Sequence, residues 1–468
     1  MTPPRIKAQP QSAGTAKRLR GNNADIPNAV AVVMKVAALQ GTLLVGAVSE
    51  SALAERLRSI QKSAQAGHAP RPSAPAEADL CASERLAIDY RDASDLAAKS
   101  AKALTALTAN QAPLWKLLRA QGIFSGHGPA KKVAFLYTGQ GSQYLNMLQV
   151  LAAAEPIVAD TFAEADRIMT PLLGQPLSEF LFVDQTDAAA VARAEKELSR
   201  TAITQPAVIA SDIALTRLLA AYDIRPDMVM GHSVGEYGAL VACGALSFED
   251  ALDVVSARSR EARGITMETG RMAAIFAPME EIERGLKTIP GYIVIANVNS
   301  YHQAVLGGAS QAIEQAIELF LKAGYDAVPL PVSNAFHTSI VAPYSEPLRR
   351  TLERRRLQSP RVPVVANVNG EFYPTGPDAT SQMVDLLTRQ VASPVQFVQG
   401  LLTLYRAGAR VFVETGPKKA LQGFAEDVLG DRGDVISLFT NHPKFDDIAA
   451  FNQALCGLYA AGLGRPVS

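Results

Sequence analysis

The sequence runs to 468 residues, 48% hydrophobic and 19% charged, which is the composition of a folded chain of roughly two to four units rather than a disordered one. Its 45 Lys+Arg balance 45 Asp+Glu, so nucleic-acid binding has no electrostatic support. The three cysteines, Cys81, Cys243 and Cys456, match no CxxC or metal-ligand spacing; the first residues are polar and basic rather than an apolar signal segment, which implies a reduced, cytoplasmic setting.

Residues 1–29 mix Pro, Gly, Gln, Arg and Lys without apolar periodicity and read as a disordered tail. The apolar run Ala29 to Leu39 is too short and interrupted to span a bilayer, which needs about 20 residues, so no membrane segment is expected. Residues 30–130 read as a small α/β unit. Strand-like runs Leu43 to Val48 and Leu86 to Tyr90 each precede a helix-like stretch, with Ser49 and Ser94 as N-caps. The Ala- and Pro-rich segment Ala64 to Asp79 reads as a flexible loop within it.

From Lys131 the texture becomes strand, glycine turn and helix: VAFLYTGQGSQ, then DMVMGHSVGEYGALVACGAL, then ARVFVETGPKKAL. Such alternation predicts a parallel sheet covered on both faces. Between Gly270 and Val332 the strand-like runs RMAAIFA, YIVIANVN, AVLGGA and AVPLPV, with the helix-like QAIEQAIELFLKAG, predict an inserted α+β unit over 270–333. The core thus comprises 131–269 and 334–430, and 431–468 is read as a C-terminal linker.

Gly231-His232-Ser233-Val234-Gly235 is a GxSxG placed after the apolar run Met228 to Met230 and before the helix-like Glu236 to Ala242. Flanking glycines let the chain turn sharply from strand to helix, so that the serine hydroxyl projects and the Val234 N–H becomes an oxyanion donor. A second glycine turn, Gly139 to Gln143, follows the strand-like Val133 to Tyr137 and ends at the same carboxyl edge, where open parallel sheets bind ligands. Its Gln140 N–H is the candidate second oxyanion donor.

A serine needs a base within hydrogen-bond reach, and there are six histidines. His68 and His127 lie outside the sheet region, His232 points away in an elbow, and His302 and His442 sit in polar turns. His337 remains. These features alone leave transferase and hydrolase both open, because GxSxG with a downstream histidine also marks α/β-hydrolase esterases.

Together, GQGSQ at 139 to 143, Gln205-Pro206, GHSVGE at 231 to 236, Arg258, NAFH at 334 to 337, Gln390 with SPVQ at 393 to 396, and ETGP at 414 to 417 resemble the malonyl-coenzyme A to acyl carrier protein acyltransferases. The likeness is strongest to the acyltransferase domains of type I polyketide and polyunsaturated fatty acid synthases. It implies an α/β fold: a hydrolase-like parallel-sheet core with an inserted ferredoxin-like subdomain, preceded by a small α/β linker subdomain. It implies that Ser233 carries the acyl group, that His337 is general base and acid, and that Gln390 holds the imidazole in place of a triad carboxylate. By the same resemblance Gln140 and Val234 form the oxyanion hole, Gln205 lines the pocket and Arg258 grips the carboxylate of the extender group, as a guanidinium fork can. The resemblance further implies that Phe336 would crowd an α-methyl branch and so favour malonyl, whereas Asn334, where many members have His, would leave room for other extenders.

The substrates so implied are malonyl-coenzyme A and a phosphopantetheinyl carrier protein. An acyl carrier protein, a ketosynthase and other synthase domains are the implied partners. No cofactor or metal is expected, since GQGSQ has neither the GxGxxG spacing nor a Walker lysine. A hydrolase is disfavoured because no HGGG-type segment precedes Ser233, and a non-catalytic scaffold because Ser233 and His337 are both present.

Overall fold

Three sheets organise the residues described by the computed structural model, 38–109, 112–263, 270–332 and 334–464; the expected tail over 1–29 lies outside them. The first sheet is antiparallel, with β2 (Glu84–Tyr90) between β1 (Gly41–Ala47) and β3 (Ile123–His127). Side chains alternate faces along a strand, and both faces of β2 are buried, one apolar through Leu86 and Ile88, the other carrying Arg85, Ala87 and Asp89. Leu86 and Ile88 pack with Leu53, Leu57 and Leu96 of the helices Glu50–Gln65 and Ala93–Ala109. Ala87 and Phe124 instead join the main core with Phe451 and Leu455 of the helix Asp447–Ala460.

Ser49 caps its helix as expected, its side chain accepting from the Ala52 N–H. Ser94 does not: the helix begins at Ala93, and the Asp92 carboxylate, two residues earlier, accepts from the Asp95 N–H at 2.8 Å. The expected loop from Ala64 starts after Gln65 and ends at a short helix, Glu77–Leu80.

The second sheet is parallel, in the order β10 (Val364–Val365), β5 (Met228–Gly231), β4 (Lys132–Tyr137), β12 (Ala409–Thr415), β13 (Ile436–Phe439). Its central strands are continuous apolar runs because helices cover both faces. One of these, Thr201–Ala221, is buried along most of its length. The carboxyl ends of β4 and β5 bring the Gly139 turn and Ser233 to one edge. The boundary drawn at 430 therefore falls inside the fold. Residues 431–464 contribute a sheet strand, β13, too short at four residues to show alternation, and the helix Asp447–Ala460.

The third sheet is the inserted unit. Here β6 (Arg271–Phe276), the helix Met279–Leu286, β7 (Ile293–Ser300), β8 (Gln303–Gly308), the helix Ser310–Lys322 and β9 (Asp326–Pro329) follow a βαββαβ order. Their antiparallel arrangement β7-β8-β6-β9 is ferredoxin-like. A fifth strand, β11 (Val395–Gln396), adds in parallel to β7 from the core part of the chain. No helix among the described residues is long and apolar enough to cross a membrane.

The helix Asp447–Ala460 is tied to the first sheet by polar bonds: Arg85 Nε donates to the Ala460 carbonyl at 2.8 Å, and Asn452 Nδ2 donates to the Gly41 carbonyl at 3.1 Å. At Gly126 an added Cβ would run into that Ala460 carbonyl. Gly126→Ala is therefore expected to cost about 1–3 kcal/mol by overpacking a backbone that cannot yield, seen as a lowered thermal midpoint.

Candidate active site

Ser233 follows β5 directly and precedes the helix Gly235–Ala242, with a left-handed φ of 55°. Both glycines of the turn are sterically required. A Cβ on Gly231 would meet the Glu236 amide, and one on Gly235 would meet the carbonyls of Tyr137 and Thr138. The turn leaves Ser233 half-buried, its Oγ 2.7 Å from His337 Nε2.

His337 is buried and also left-handed, at φ 64°, with its N–H donating to the Val391 carbonyl at 2.8 Å. Its Nδ1 faces two carbonyls, those of Gln390 at 2.9 Å and Ser393 at 3.1 Å. Carbonyls only accept, so Nδ1 carries the proton and Nε2 is left bare to accept from Ser233. Burial, and then the Arg258 cation, push the imidazole down to about 3, which keeps it neutral near pH 7. A neutral imidazole with a bare Nε2 is ready to take a proton.

The role expected of Gln390 changes in its chemistry. Its main-chain carbonyl faces the imidazole, together with that of Ser393. Its side chain turns the other way: Nε2 donates to the Ser233 carbonyl at 2.6 Å and to Glu236 Oε2 at 3.0 Å.

The turn after β4 lies against the elbow, so closely that a Cβ on Gly139 would meet the His232 carbonyl. The Gln140 side chain accepts from Gln205 Nε2 and donates to Thr201 Oγ1, both at 3.3 Å. Gln205 is thus buried beside the turn, its Oε1 without a partner among the described residues. Main-chain amides around the serine are mostly used: Ser233 N–H donates to Asn367 Oδ1, and Gly235 N–H to the His232 carbonyl. The Gln140 and Val234 amides have no acceptor among the described residues.

Arg258, on the helix Phe248–Arg263, is 3% exposed, yet its Nε and Nη1 have no hydrogen-bond partner among the described residues. Its guanidinium carbon sits 5.2 Å from the centroid of the Phe336 ring. Burial lowers its affinity for the proton, while Tyr237 and Glu236 raise it. Phe336 and Asn334 are buried alongside, and Tyr344 Oη donates to Asn334 Oδ1 at 3.4 Å.

Three residues of the site were not singled out from the sequence. Asn367 takes the Ser233 N–H on Oδ1 at 2.6 Å and gives Nδ2 to the Gly231 carbonyl at 2.7 Å. Glu236 accepts from the Asn367 N–H at 3.2 Å, from Gln390 and from Tyr373 Oη; burial pushes its carboxyl up to about 7. Glu236 lay in plain view in GHSVGE, but Asn367 and Tyr373 carry no local signal.

The other histidines lie elsewhere. His232 Nε2 meets Asn299 Oδ1 at 2.7 Å and its ring packs on Phe397, while His302 is exposed and paired with Asp427. No group of three or more His, Cys, Asp or Glu among the described residues is placed to hold a metal ion.

A serine hydroxyl in contact with a neutral imidazole, at the carboxyl edge of a parallel sheet, is the equipment of a serine-dependent acyl-transfer enzyme. Within that class the chain belongs to the acyl transferase domain family, whose model matches residues 134–445. It is 35% identical to the malonyl CoA-acyl carrier protein transacylase of Haemophilus influenzae over 329 residues, 69% of this chain and 97% of that protein. It is 34% identical over 317 residues to the spectinabilin polyketide synthase system protein NorB of Streptomyces orinoci, a match of 67% of this chain but only 14% of that much longer protein. Among solved structures, the acyltransferase domain from the second module of the salinomycin polyketide synthase superposes with a TM-score of 0.65 at 30% identity, over 90% of this chain and 93% of that one.

Arg258→Ala removes a cation that disfavours imidazolium, so the His337 pKa is expected to rise in that variant while burial still holds it below the usual 6.5. Histidine-selective NMR titration reads this directly; an unshifted or lowered His337 would contradict the electrostatic reading.

Proposed function

We propose that this acyltransferase moves a malonyl group from coenzyme A to the phosphopantetheine thiol of an acyl carrier protein, through an ester on Ser233. The observation that carries the choice of substrate is the buried guanidinium of Arg258, with two nitrogens unpartnered among the described residues. An uncompensated buried charge is costly, and a ligand carboxylate is the anion that a guanidinium fork fits in two-point fashion. Relatives named for malonyl transfer support the same substrate.

His337 Nε2 takes the Ser233 proton as Oγ attacks the thioester carbonyl, and the Gln140 and Val234 amides receive the developing oxyanion. Collapse of the tetrahedral intermediate expels coenzyme A thiolate, to which the imidazolium returns the proton. The carrier's thiol then repeats the sequence in reverse, giving its proton to His337 and restoring Ser233. Arg258 serves both halves by fixing the acyl group, which limits the poses in which water could attack. Gln205 lines the pocket through its bond to Gln140.

Phe336, stacked under Arg258, fills the space that an α-methyl branch would need, so malonyl is preferred to methylmalonyl; Asn334 leaves that preference less strict. The first sheet is read as the linker subdomain of a multidomain cytoplasmic synthase, in which a ketosynthase and other domains are neighbours. Its support is that the polyketide-synthase acyltransferase domain overlays 90% of the chain. The working cycle calls on side chains and main-chain amides, with no cofactor beyond the two substrates.

Intact-mass measurement after incubation with malonyl-coenzyme A tests the proposal. A malonyl adduct that disappears on addition of phosphopantetheinylated carrier protein, and is absent in Ser233→Ala, is the expected result. Steady release of malonate without carrier loading would make the protein a hydrolase instead. Arg258→Ala should lower malonyl loading roughly 100-fold, since charge-assisted two-point bonds are lost, and raise acetyl loading relative to malonyl. Phe336→Ala should shift the methylmalonyl-to-malonyl ratio upward by at least about tenfold, the scale of one methyl group in a fitted pocket.

A further inference from the structure

Beneath the dyad, one carboxylate gathers bonds from three separate parts of the chain. Glu236, in the first turn of the helix after the elbow, is wholly buried. Its Oε1 accepts from the Asn367 N–H, just beyond β10, and from Tyr373 Oη; its Oε2 accepts from Gln390 Nε2, at the end of the helix Ala379–Gln390. Two of these donors also bind the nucleophile. Asn367 Oδ1 holds the Ser233 N–H at 2.6 Å, and Gln390 Nε2 holds the Ser233 carbonyl at 2.6 Å. Gln390 in turn holds His337 through its own carbonyl.

We infer that Glu236 is a positioning residue for the acyl transfer, the acceptor that fixes Asn367, Tyr373 and Gln390 and through them sets the Ser233–His337 contact. The inference rests on the dyad reading given above. Glu236 touches neither Ser233 Oγ nor the imidazole; it acts through the residues that do the holding.

The donor and acceptor pattern shows why a carboxylate is required. All three partners present donors to Glu236, so every facing position must be an acceptor. An amide in its place offers one oxygen, which Tyr373 and the Asn367 N–H would occupy, and an NH2 that opposes the Gln390 NH2. Gln390 can relieve that opposition only by turning its amide over, which replaces the donor at the Ser233 carbonyl with an oxygen. The Ser233 carbonyl then loses its side-chain donor and keeps only the Glu236 N–H at 3.1 Å. Displacements well under an ångström at a nucleophile carry large rate effects.

The test uses the full chain with Glu236→Gln, and Tyr373→Phe as the milder change that removes a single donor. Ser233 labelling by a fluorophosphonate probe reads the nucleophile and its base without any coenzyme A thioester, so it is independent of which acyl group the enzyme carries. Malonyl adduct on the parent protein, measured alongside, tests the substrate reading separately. The expected result is a roughly 10- to 100-fold slower labelling in Glu236→Gln and a smaller, roughly 3- to 10-fold, loss in Tyr373→Phe, with the thermal midpoint of Tyr373→Phe within a few degrees of the parent. In the malonyl reaction kcat falls while KM stays within about twofold. Labelling of both variants within about twofold of the parent overturns the inference, as does a loss that matches the fall in folded fraction. If Glu236→Gln does not fold, Tyr373→Phe decides alone on the same criteria.

Discussion

Everything the site does hangs on a 2.7 Å contact between Ser233 Oγ and His337 Nε2, two residues 104 positions apart whose backbones are both left-handed. A left-handed non-glycine residue costs about 1–3 kcal/mol and persists only where its surroundings over-determine it. Here they do. Ser233 is pinned at its N–H by Asn367 and at its carbonyl by Gln390, while the His337 N–H is pinned by Val391. One stretch of chain, from Gln390 to Ser393, thus holds the backbone of both partners and also faces Nδ1 with two carbonyls. The tautomer that leaves Nε2 bare and the strain that aims the serine come from the same segment.

Electrostatics add a second condition to this geometry. Arg258 is buried with its Nε and Nη1 without a direct partner among the described residues, and its charge is the second cause, after burial, of the depressed imidazole. A depressed imidazole is neutral but also a weak base. An anion seated on Arg258 would offset the cation's field at His337, so on the proposed reading carboxylate binding and base strength are coupled in sign: the substrate that satisfies the arginine would also make the base that deprotonates Ser233 stronger. A substrate lacking the carboxylate leaves the field in place. On the proposed malonyl chemistry, Arg258 would then act on the chemical step as well as on binding.

What was legible in the sequence was local. The three central strands of the parallel sheet, the glycine-flanked elbow, the helix Phe248–Arg263 and the four strands and second helix of the insertion announce themselves through runs, periodicity and glycine placement within short stretches of chain. His337 came by elimination, and the elbow-to-histidine pairing follows the family register. What stayed hidden was non-local or carried by main chain. Asn367 reaches Ser233 because β10 pairs with β5 at Val364 to Val229, yet β10 is two residues long and shows no alternation to read. Gln390 was identifiable as a residue but not by the group that acts, since sequence motifs name side chains and the imidazole is held by a carbonyl. The strand β13 and the cap at Asp92 were missed for related reasons: four residues are too few for a pattern, and Asp92 competes with Ser94 at nearly the same place.

The inserted sheet is more than a cover for the pocket. Its edge strand β7 receives β11, which begins two residues after Ser393, one of the two carbonyls that face the imidazole. From the same strand Asn299 bonds His232, the residue immediately before the nucleophile. Both halves of the dyad are therefore anchored within two residues of a contact to the inserted unit, one through main-chain pairing and one through a side chain. A rigid shift of that unit relative to the parallel sheet would pull on Ser233 and on His337 by different routes. For the 2.7 Å contact to survive, the two sheets must keep a fixed relation, which is served both by the packing of Met272, Ala274, Ala296 and Val305 into the main core and by the polar pairings at β7.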